Sequence, residues 1–372
     1  MVSRRLYFGV CVALPLFCIL FMATIFGSGQ MERIPVGVVD LDWTASSRSV
    51  TRTVEAVPTF RVSGHYADEQ SARTATQRKE IYGYLVIPPR FETDLRGGRG
   101  ATLRYYYHYA LLSVGSEVRG AFETVLQPLA MTPVVTEAVA LGVSERTAES
   151  FLVPVSSQSH PLYNPDLDYS VYLSQPFFFI LFQVIVLLVT VYAVGSEIKF
   201  RTGDDWLRTA GMNVFSAVAG KLLPYTVIFV LISVLANYVL FGVMRIPFGF
   251  WPLNLTSALF VVATQCLAVF LFSLFPAIGI VISVVSMVGS LGATLSGVTF
   301  PAPFMYEPVY YASFLFPVRH FVEISQNLLY GDYGFAYTWQ NVAALLLFAL
   351  PALLVLPRLK KAVLSRRYEN IK

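Results

Sequence analysis

A short charged stretch between two long apolar segments contains the residues best suited to specific chemistry. It reads SEIKFRTGDDWLRTAGMN and covers residues 196–213; we call it the charged stretch. Asp204, Asp205 and Arg208 are spaced for a short helix, and Trp206 offers an apolar anchor of the kind that protein interfaces use. These residues suit either a docking element for another protein or an ordinary solvated loop, and the residue types alone favour neither.

Catalytic signatures are missing from the sequence. The four histidines lie far apart, at positions 65, 108, 160 and 320, and no HExxH, G-x-S-x-G or Walker A motif occurs. The segment SAVAGKLLPY, residues 216–225, has a Gly-Lys pair but lacks the earlier glycine and the following serine or threonine of a phosphate-binding loop. The sequence therefore predicts that the chain is not an enzyme, does not hydrolyse ATP by itself, and binds no cofactor or metal.

The composition is that of a membrane protein with a polar portion attached. Of 372 residues, 55% are hydrophobic and 13% are charged, and the mean hydropathy is +0.60. Soluble domains have about 45–50% apolar and about 25% charged residues. The net charge of +4 is small and scattered, which argues against nucleic acid as a partner. The three cysteines lie inside apolar runs without metal-ligand spacing, so we expect them to be packing residues.

Six apolar segments are long enough to cross a bilayer, whose hydrocarbon core requires about 20 apolar residues per helix. The turn between the fourth and fifth segments depends on a single Phe275–Pro276 step. The first segment is too long for the apolar region of a signal peptide and has no clear cleavage site after it, so we expect an anchor. The predicted spans are Leu6–Phe26, Val171–Val194, Ala219–Met244, Leu253–Phe275, 277–298 and Thr338–Leu356.

Lysine and arginine residues concentrate before the first span, between the second and third spans, and after the sixth. Because positive residues favour the cytoplasmic side, we predict a multi-pass membrane protein with both termini and the charged stretch cytoplasmic. The polar insert after the first span is then external. The predicted divisions are a first helix (1–26), an extracytoplasmic α/β domain with a helical extension (27–170), a five-helix transmembrane domain (171–357) with a cytoplasmic loop (195–216) and an outer interfacial segment (299–337), and a basic cytoplasmic tail (358–372).

The polar insert alternates between strand-like and helix-like patterns. IPVGVVDLD, FRVSGHY, IYGYLVIPP and ATLRYYYHYA are typical of strands, whereas SSRSVTRTVEAV, with a serine start, and ADEQSARTATQRKE predict helices between them. This order predicts a small α/β domain with a mixed sheet. Residues 113–153 then predict a helix, and residues 156–170 an extended return to the membrane.

The centres of the six predicted spans contain no aspartate, glutamate, lysine, arginine or histidine; Lys221 lies at the edge of one. Ion-coupled transporters usually bind their driving ion with such residues inside the membrane. A secondary transporter is therefore disfavoured, and any energy for transport is expected to enter elsewhere. The charged stretch is the compact cytoplasmic feature where it could enter.

Small residues recur at helical spacing in the fifth span. Gly289, Ala293 and Gly297 share one row, beside a row of hydroxyl residues at positions 286, 290 and 294. Such rows allow helix backbones to approach closely. The packing partner is either a neighbouring span of the same chain or a second copy of it.

The outer interfacial segment is aromatic and interrupted by prolines, so it is too broken to span the membrane. We expect it to dip into the outer leaflet or to lie on it. Arg319, His320 and Glu323 form its one charged cluster. An outer gate and a simple interfacial salt bridge are the two interpretations of that cluster.

The order of these parts resembles the permease subunit of an ATP-binding cassette transporter, in the type 2 exporter class with a large external domain. Four segments carry the resemblance, and together they extend over nearly the whole chain. They are the opening span RRLYFGVCVALPLFCILFMATIFG, the start of the insert PVGVVDLDWTASSRSV, the cytoplasmic VGSEIKFRTGDDWLR with AGKLLPY, and the outer SGVTFPAPFM with LFPVRHF.

The resemblance implies that two permease subunits pair, as a homodimer or a paralogous heterodimer, and that each docks a separate ATPase subunit that binds the ATP. Glu197, Arg201, Asp204, Asp205 and Trp206 then belong to the ATPase-coupling loop. A periplasmic adaptor is a further implied partner, besides the lipid bilayer, and the large external domain implies by analogy that the protein lies in a bacterial inner membrane. Family members usually have an amphipathic helix before the first span, whereas only residues 1–5 precede it here. Either the native start lies upstream or this element is lacking.

The substrate is only weakly indicated by the sequence. A pathway lined by phenylalanine, leucine and valine favours lipids or amphiphilic molecules over sugars. The alternative function is a membrane-anchored receptor or scaffold whose external domain binds a cell-envelope partner without transport. Six spans and a charged cytoplasmic loop are difficult to explain for a receptor, which requires only one or two spans.

Overall fold

The computed structural model describes residues 9–27, 29, 31–97, 101–140, 168–242, 250–330 and 338–365. Within these ranges the chain forms four β-strands and fourteen α-helices. The strands are β1 (Ile34–Asp40), β2 (Phe60–His65), β3 (Gly83–Ile87) and β4 (Arg104–Tyr107). The helices are α1 (Leu14–Ile25), α2 (Ala45–Glu55), α3 (Glu69–Gln77), α4 (Phe91–Arg96), α5 (Leu112–Ala140), α6 (Gln175–Lys199), α7 (Gly203–Thr209), α8 (Val214–Gly242), α9 (Phe250–Leu274), α10 (Ile278–Thr294), α11 (Glu307–Ser313), α12 (Pro317–Tyr330), α13 (Trp339–Leu347) and α14 (Ala349–Leu364).

The chain divides into two compact units. One comprises Met1–Gly29 together with Pro161–Lys372, and the other comprises Gln30–His160. The first contains the apolar helices and the second contains the whole sheet. We refer to them as the helical unit and the α/β unit.

The sheet of the α/β unit is mixed, as the sequence predicts. Its strand order is β2-β1-β3-β4; β1 runs parallel to both of its neighbours, and β4 runs antiparallel to β3. Successive residues of a strand point to opposite faces, and both faces are covered here. Val36 and Val38 pack with α2 and α5 on one face, whereas Val39 packs with Ala72 and Ala75 of α3 on the other. This two-sided burial explains why β1 is apolar almost throughout.

Helix α2 begins at Ala45, one residue before the serine start that the sequence suggests. Thr44 is the N-cap: its hydroxyl accepts the backbone N–H of Ser47 at 3.2 Å, and the Ser47 hydroxyl accepts the Thr44 N–H at 3.0 Å. This reciprocal pair is a capping box in which serine replaces the usual acidic residue. Of the helix predicted over 113–153, the part to Ala140 is helical, and the rest lies outside the described residues. Most of the predicted extended return over 156–170 lies outside them too, and Ser170 begins a π-helical turn.

Four helical segments of the helical unit are long and apolar enough to cross a membrane. They are Tyr172–Lys199, Val214–Leu240, Phe250–Leu274 and Trp339–Leu364. Two shorter apolar helices, Gly9–Ile25 and Ile278–Thr294, coincide with the first and fifth predicted spans. Six crossings therefore stay a prediction. Four of them correspond to helices of spanning length in the described residues.

At two predicted boundaries the helix continues further along the chain than the sequence predicts. Helix α6 continues to Lys199, so the first residues of the predicted loop 195–216 are helical. Helix α14 continues to Leu364, through Pro357 and into the predicted tail 358–372. In both places the charged residues are typical of a loop in the sequence. Apolar residues between them, such as Ile198 and Leu359, are buried and keep the helix packed.

The core of the helical unit is built on phenylalanine rings. The ring centre of Phe321 in α12 lies 4.2 Å from that of Phe179 in α6 and 5.0 Å from that of Phe260 in α9. Tilted ring pairs of this kind stabilise the fold beyond the effect of the apolar area that they bury. The outer interfacial segment thus packs part of its length into the helix core, although residues 331–337 of it lie outside the described residues.

The small-residue row of α10 packs inside the chain. A Cβ at Gly289 would lie 2.7 Å from the Cγ2 atom of Val184, so the absence of a side chain lets α10 approach α6 closely. Ala293 is partly buried in the same core. Gly297 does not share the row, because the helix ends at Thr294 and Gly297 lies in the following turn with φ of +90°. The hydroxyl residues at 286, 290 and 294 are exposed on another side of α10.

Candidate functional site

The charged stretch folds as a tight turn followed by the short helix α7. The turn is made by Arg201, whose φ of 62° reverses the chain after α6, and by the Thr202 N–H, which donates to the Glu197 carbonyl at 3.0 Å. Helix α7 then approaches α14 closely at Gly203. A Cβ at this position would lie 2.5 Å from the Cγ1 atom of Val363, so a larger residue requires a shift of the Val363 side chain or of one helix.

The far end of α7 is closed by two residues in the left-handed conformation. Gly211 and Met212 have φ of 63° and 60°, and the Met212 N–H donates to the Leu207 carbonyl at 2.7 Å. This six-residue closure is the hydrogen bond of a Schellman motif. Asn213 then caps α8, because its Oδ1 accepts the backbone N–H of Phe215 at 3.0 Å. The whole connection from α6 to α8 is therefore specified by local hydrogen bonds.

A polar link joins α6, α7 and α8. The Glu197 carboxylate accepts hydrogen bonds from the Thr202 hydroxyl and from the Lys221 ammonium. The ammonium also lies 5.8 Å from the ring centre of Trp206, within reach of a cation–π interaction. The Trp206 indole N–H donates to the Ala217 carbonyl at 3.2 Å. The Lys221 and Glu197 side chains are only 20% and 13% exposed, so the ion pair is largely shielded from water.

An apolar base fixes α7 to the helices beneath it. Leu207 is fully buried in a cluster that includes Leu359 and Val363 of α14. The Lys360 ammonium donates to the Met212 carbonyl at 2.6 Å, and one Arg358 N–H donates to the Leu274 carbonyl at the end of α9 at 3.3 Å. The extension of α14 beyond residue 356 therefore braces the charged stretch.

The five predicted coupling residues occupy two different environments. Glu197 and Trp206 belong to the shielded link, whereas Arg201 and Asp205 are exposed and Asp204 is half-buried. Sequence reasoning assigned Lys221 only to membrane topology and missed its pairing with Glu197. The available signal was a lone lysine within an apolar segment, since such a residue usually has an acidic partner.

The three residues predicted as a possible outer gate do not form one contact cluster. Arg319 is buried and pairs with Glu323 one turn later on α12. His320 is 1% exposed and bonds elsewhere: its Nδ1 lies 2.9 Å from Oδ1 of Asn341 in α13, and its Nε2 lies 3.0 Å from the Phe314 carbonyl. His320 thus links α12 to α13, and Arg319 with Glu323 forms a separate pair.

Helix α12 is also fixed at its beginning. The Gln183 amide oxygen, in the middle of α6, accepts the backbone N–H of Val318 at 2.9 Å. An unpaired N–H in an apolar environment costs several kcal/mol, so this hydrogen bond defines where α12 can begin. Across the described residues no group of three or more histidine, cysteine, aspartate or glutamate side chains could hold a metal ion.

The family model described as "ABC-2 family transporter protein" matches residues 5–356. The chain belongs to this family. It is therefore a membrane-embedded permease of an ATP-binding cassette transporter, is not itself the ATPase, and works with an ATP-binding subunit. No curated protein and no solved structure matches the chain.

Proposed function

We propose that this permease is part of an ATP-driven exporter of amphiphilic or lipid-like molecules, and that its ATPase subunit docks on the charged stretch. The observation that carries the proposal is the construction of α7. This helix exposes charge on one side, while its other side is attached to three long helices. An ordinary solvated loop does not require such attachments.

The docking surface combines exposed and anchored residues. Asp205 and Arg208 are exposed and available to a partner, whereas Leu207 on the same helix is fully buried. A force applied to the exposed side of α7 acts on α6 through the hydrogen bond between Thr202 and Glu197, on α8 through that between Trp206 and Ala217, and on α14 through Leu207. ATP-driven closure of two ATPase subunits would apply that force and alternate the access of the pathway.

The exposed side of α10 supports an amphiphilic substrate. It presents hydroxyl groups at 286, 290 and 294 next to Met287 and Leu291, which are 57% and 44% exposed. Such a surface offers hydrogen bonds and apolar contact together. We place it toward a second permease subunit, in a homodimer or a paralogous heterodimer, with the α/β unit outside the cell membrane and both termini in the cytoplasm. A periplasmic adaptor would then meet the α/β unit.

The test is co-purification of the permease with its ATPase in mild detergent, followed by measurement of ATP hydrolysis. We expect a stoichiometric ATPase partner that is lost in Asp204→Lys/Asp205→Lys. The matched control is Lys361→Glu, which reverses an exposed charge on α14 next to the same region. Equal loss in both variants would show that general charge, and not α7, holds the ATPase. A preparation without any ATPase would favour the receptor or scaffold alternative.

Export itself requires a separate measurement. Membrane vesicles with the co-purified complex should release a fluorescent amphiphile only with ATP, and release should stop in Asp204→Lys/Asp205→Lys. ATP hydrolysis without movement of any amphiphile, but with movement of a polar solute, would reject the substrate class and keep the ATP-driven permease.

A further inference from the structure

A cleft of about 530 Å³ opens in the α/β unit beside the ends of β1 and β2. Because β1 is parallel to both β2 and β3, the carboxyl ends of these three strands lie at one edge of the sheet. The chain leaves β1 toward β2 on one side and later returns to β3 on the other. In open α/β sheets, ligands bind outside the carboxyl ends of the strands, and this cleft lies at the β1–β2 side of that edge.

Two arginines give the cleft its charge. Arg48 and Arg52 lie one turn apart on α2, and both side chains line the cleft. The lining carboxylate of Asp40 is already occupied, because it accepts two backbone N–H groups of the following turn at 3.0 Å and the Ser47 hydroxyl at 2.7 Å. The Asp40 carboxylate is therefore not placed to neutralise the arginines by direct contact.

Two other ionisable side chains of the cleft, His65 and Glu55, lie near each other. His65 at the end of β2 lies 3.8 Å from the Glu55 carboxylate at the end of α2. Arg52 makes no ion pair within the described residues, and Arg48 uses one N–H on the Trp43 carbonyl at 3.0 Å. Two guanidinium groups thus remain able to receive an anion, and each presents a planar fork suited to carboxylate or phosphate oxygens.

An exposed aromatic ring stands beside these arginines. Trp43 lines the cleft and is 69% exposed, although indole rings are usually buried. Its φ of 57° is uncommon for a bulky residue, and the hydrogen bond from its own N–H to Asp40 holds it there. Tyr66 lines the cleft as well. The pKa of its hydroxyl is raised, mainly by burial and secondly by the negative charge of Glu80, so the hydroxyl stays protonated and can donate a hydrogen bond.

We propose that this cleft binds a small organic anion, whose carboxylate or phosphate pairs with Arg48 and Arg52 and whose flat ring packs on Trp43. The volume lies within the roughly 300–1,000 Å³ typical of sites for small molecules. Cation and ring together favour a ligand with both features over inorganic phosphate alone. The proposal rests on the α/β unit by itself and does not depend on the function proposed for the helical unit.

Binding is measured on the full-length permease in nanodiscs by saturation-transfer NMR with four water-soluble probes. Benzoate and phenyl phosphate carry ring and anion, benzamide carries the ring alone, and inorganic phosphate carries the anion alone. We expect saturable binding of benzoate or phenyl phosphate at millimolar concentrations or below, and weaker binding of the other two. Binding of benzamide as tight as that of benzoate would overturn the proposal, as would no saturation by either aromatic anion.

Variants assign the binding to this cleft. Arg48→Gln/Arg52→Gln should weaken the aromatic anions by roughly tenfold or more, and Trp43→Ala should weaken them while Trp43→Phe retains most of the affinity. Arg61→Gln is the matched control, because Arg61 is exposed on β2 but does not line the cleft. Circular dichroism establishes folding, and Arg52→Gln alone serves if the double variant unfolds. Equal affinity in the control and the arginine variants would overturn the assignment.

Discussion

The ion pair between Glu197 of α6 and Lys221 of α8 allows the polar link that holds α7 to be tested. In Lys221→Met the aliphatic part of the side chain is kept, but the Glu197 carboxylate loses its charged partner while only 13% exposed. Breaking a buried pair costs about 3–5 kcal/mol, and an exposed pair contributes about 0–1 kcal/mol. For this partly shielded pair we expect about 2 kcal/mol, which corresponds to roughly a 30-fold change in an equilibrium constant.

Hydrogen exchange of the charged stretch is the appropriate assay, since local opening is measured there without unfolding the whole membrane protein. Backbone N–H groups of α7 should exchange roughly 30-fold faster in Lys221→Met. The matched control is Lys199→Met, which removes an exposed lysine from the end of α6. We expect the control to exchange at nearly the rate of the unmodified protein.

A double variant separates the ion pair from general effects of the substitutions. Glu197→Gln/Lys221→Met leaves no uncompensated charge, so its exchange should be slower than that of Lys221→Met alone. Two results would refute the reasoning. One is an exchange rate in Lys221→Met no faster than in Lys199→Met, and the other is a double variant whose effects simply add.

Three further predictions concern other contacts. Gly203→Ala should lower the melting temperature, because overpacking typically costs about 1–3 kcal/mol, and Val363→Ala in the same chain should restore it; no restoration would argue against the close approach of α7 to α14. The pKa of Asp42 lies below its ordinary value: burial raises it, but hydrogen bonds from one hydroxyl and three backbone N–H groups lower it more. The stability that the ionised Asp42 carboxylate contributes is present above the unfolded pKa near 3.8 and is lost as pH falls through the folded pKa. Asp42→Asn should therefore make the α/β unit less sensitive to acid below about pH 4. Circular dichroism as a function of pH measures this. His320→Leu should lower the melting temperature more than Glu323→Gln, because His320 is 1% exposed and its loss leaves Asn341 and the Phe314 carbonyl without this partner, whereas Glu323 is 41% exposed. The opposite order would favour a structural role for the Arg319 pair.

The α/β unit was the part most accessible to sequence reasoning, for a physical reason. Its strands are buried on both faces or alternate strictly, and these patterns depend only on neighbouring residues. The six-residue helix α4 was missed because it is too short to show a period. The start of α2 was placed at Ser46 because serine is a frequent N-cap, whereas the cap is Thr44, two residues earlier.

The contacts that organise the helical unit could not be predicted in the same way. The Gln183 amide and the Val318 N–H are 135 residues apart in the chain, and no local pattern relates them. The extent of α6 and α14 depends on which side of each helix meets another helix, which composition does not reveal. A row of small residues at 289, 293 and 297 predicted one helix face, but the chain turns before Gly297.

Helix α6 connects the charged stretch with the opposite part of the helical unit. Gln183 and Glu197 are fourteen positions apart on it, which at 1.5 Å per residue is about 21 Å. The first accepts the N–H that begins α12, and the second accepts the hydrogen bonds that hold α7 and α8. Between them α6 is buried on nearly every side, so it has few directions in which to bend. A displacement of α7 that moves α6 along its axis would therefore also reach the start of α12, whereas one absorbed by rotation of Lys221 would not. The shielding of the Glu197–Lys221 pair from water favours the first of these two responses, because separating the charges costs more there than shifting the helices together.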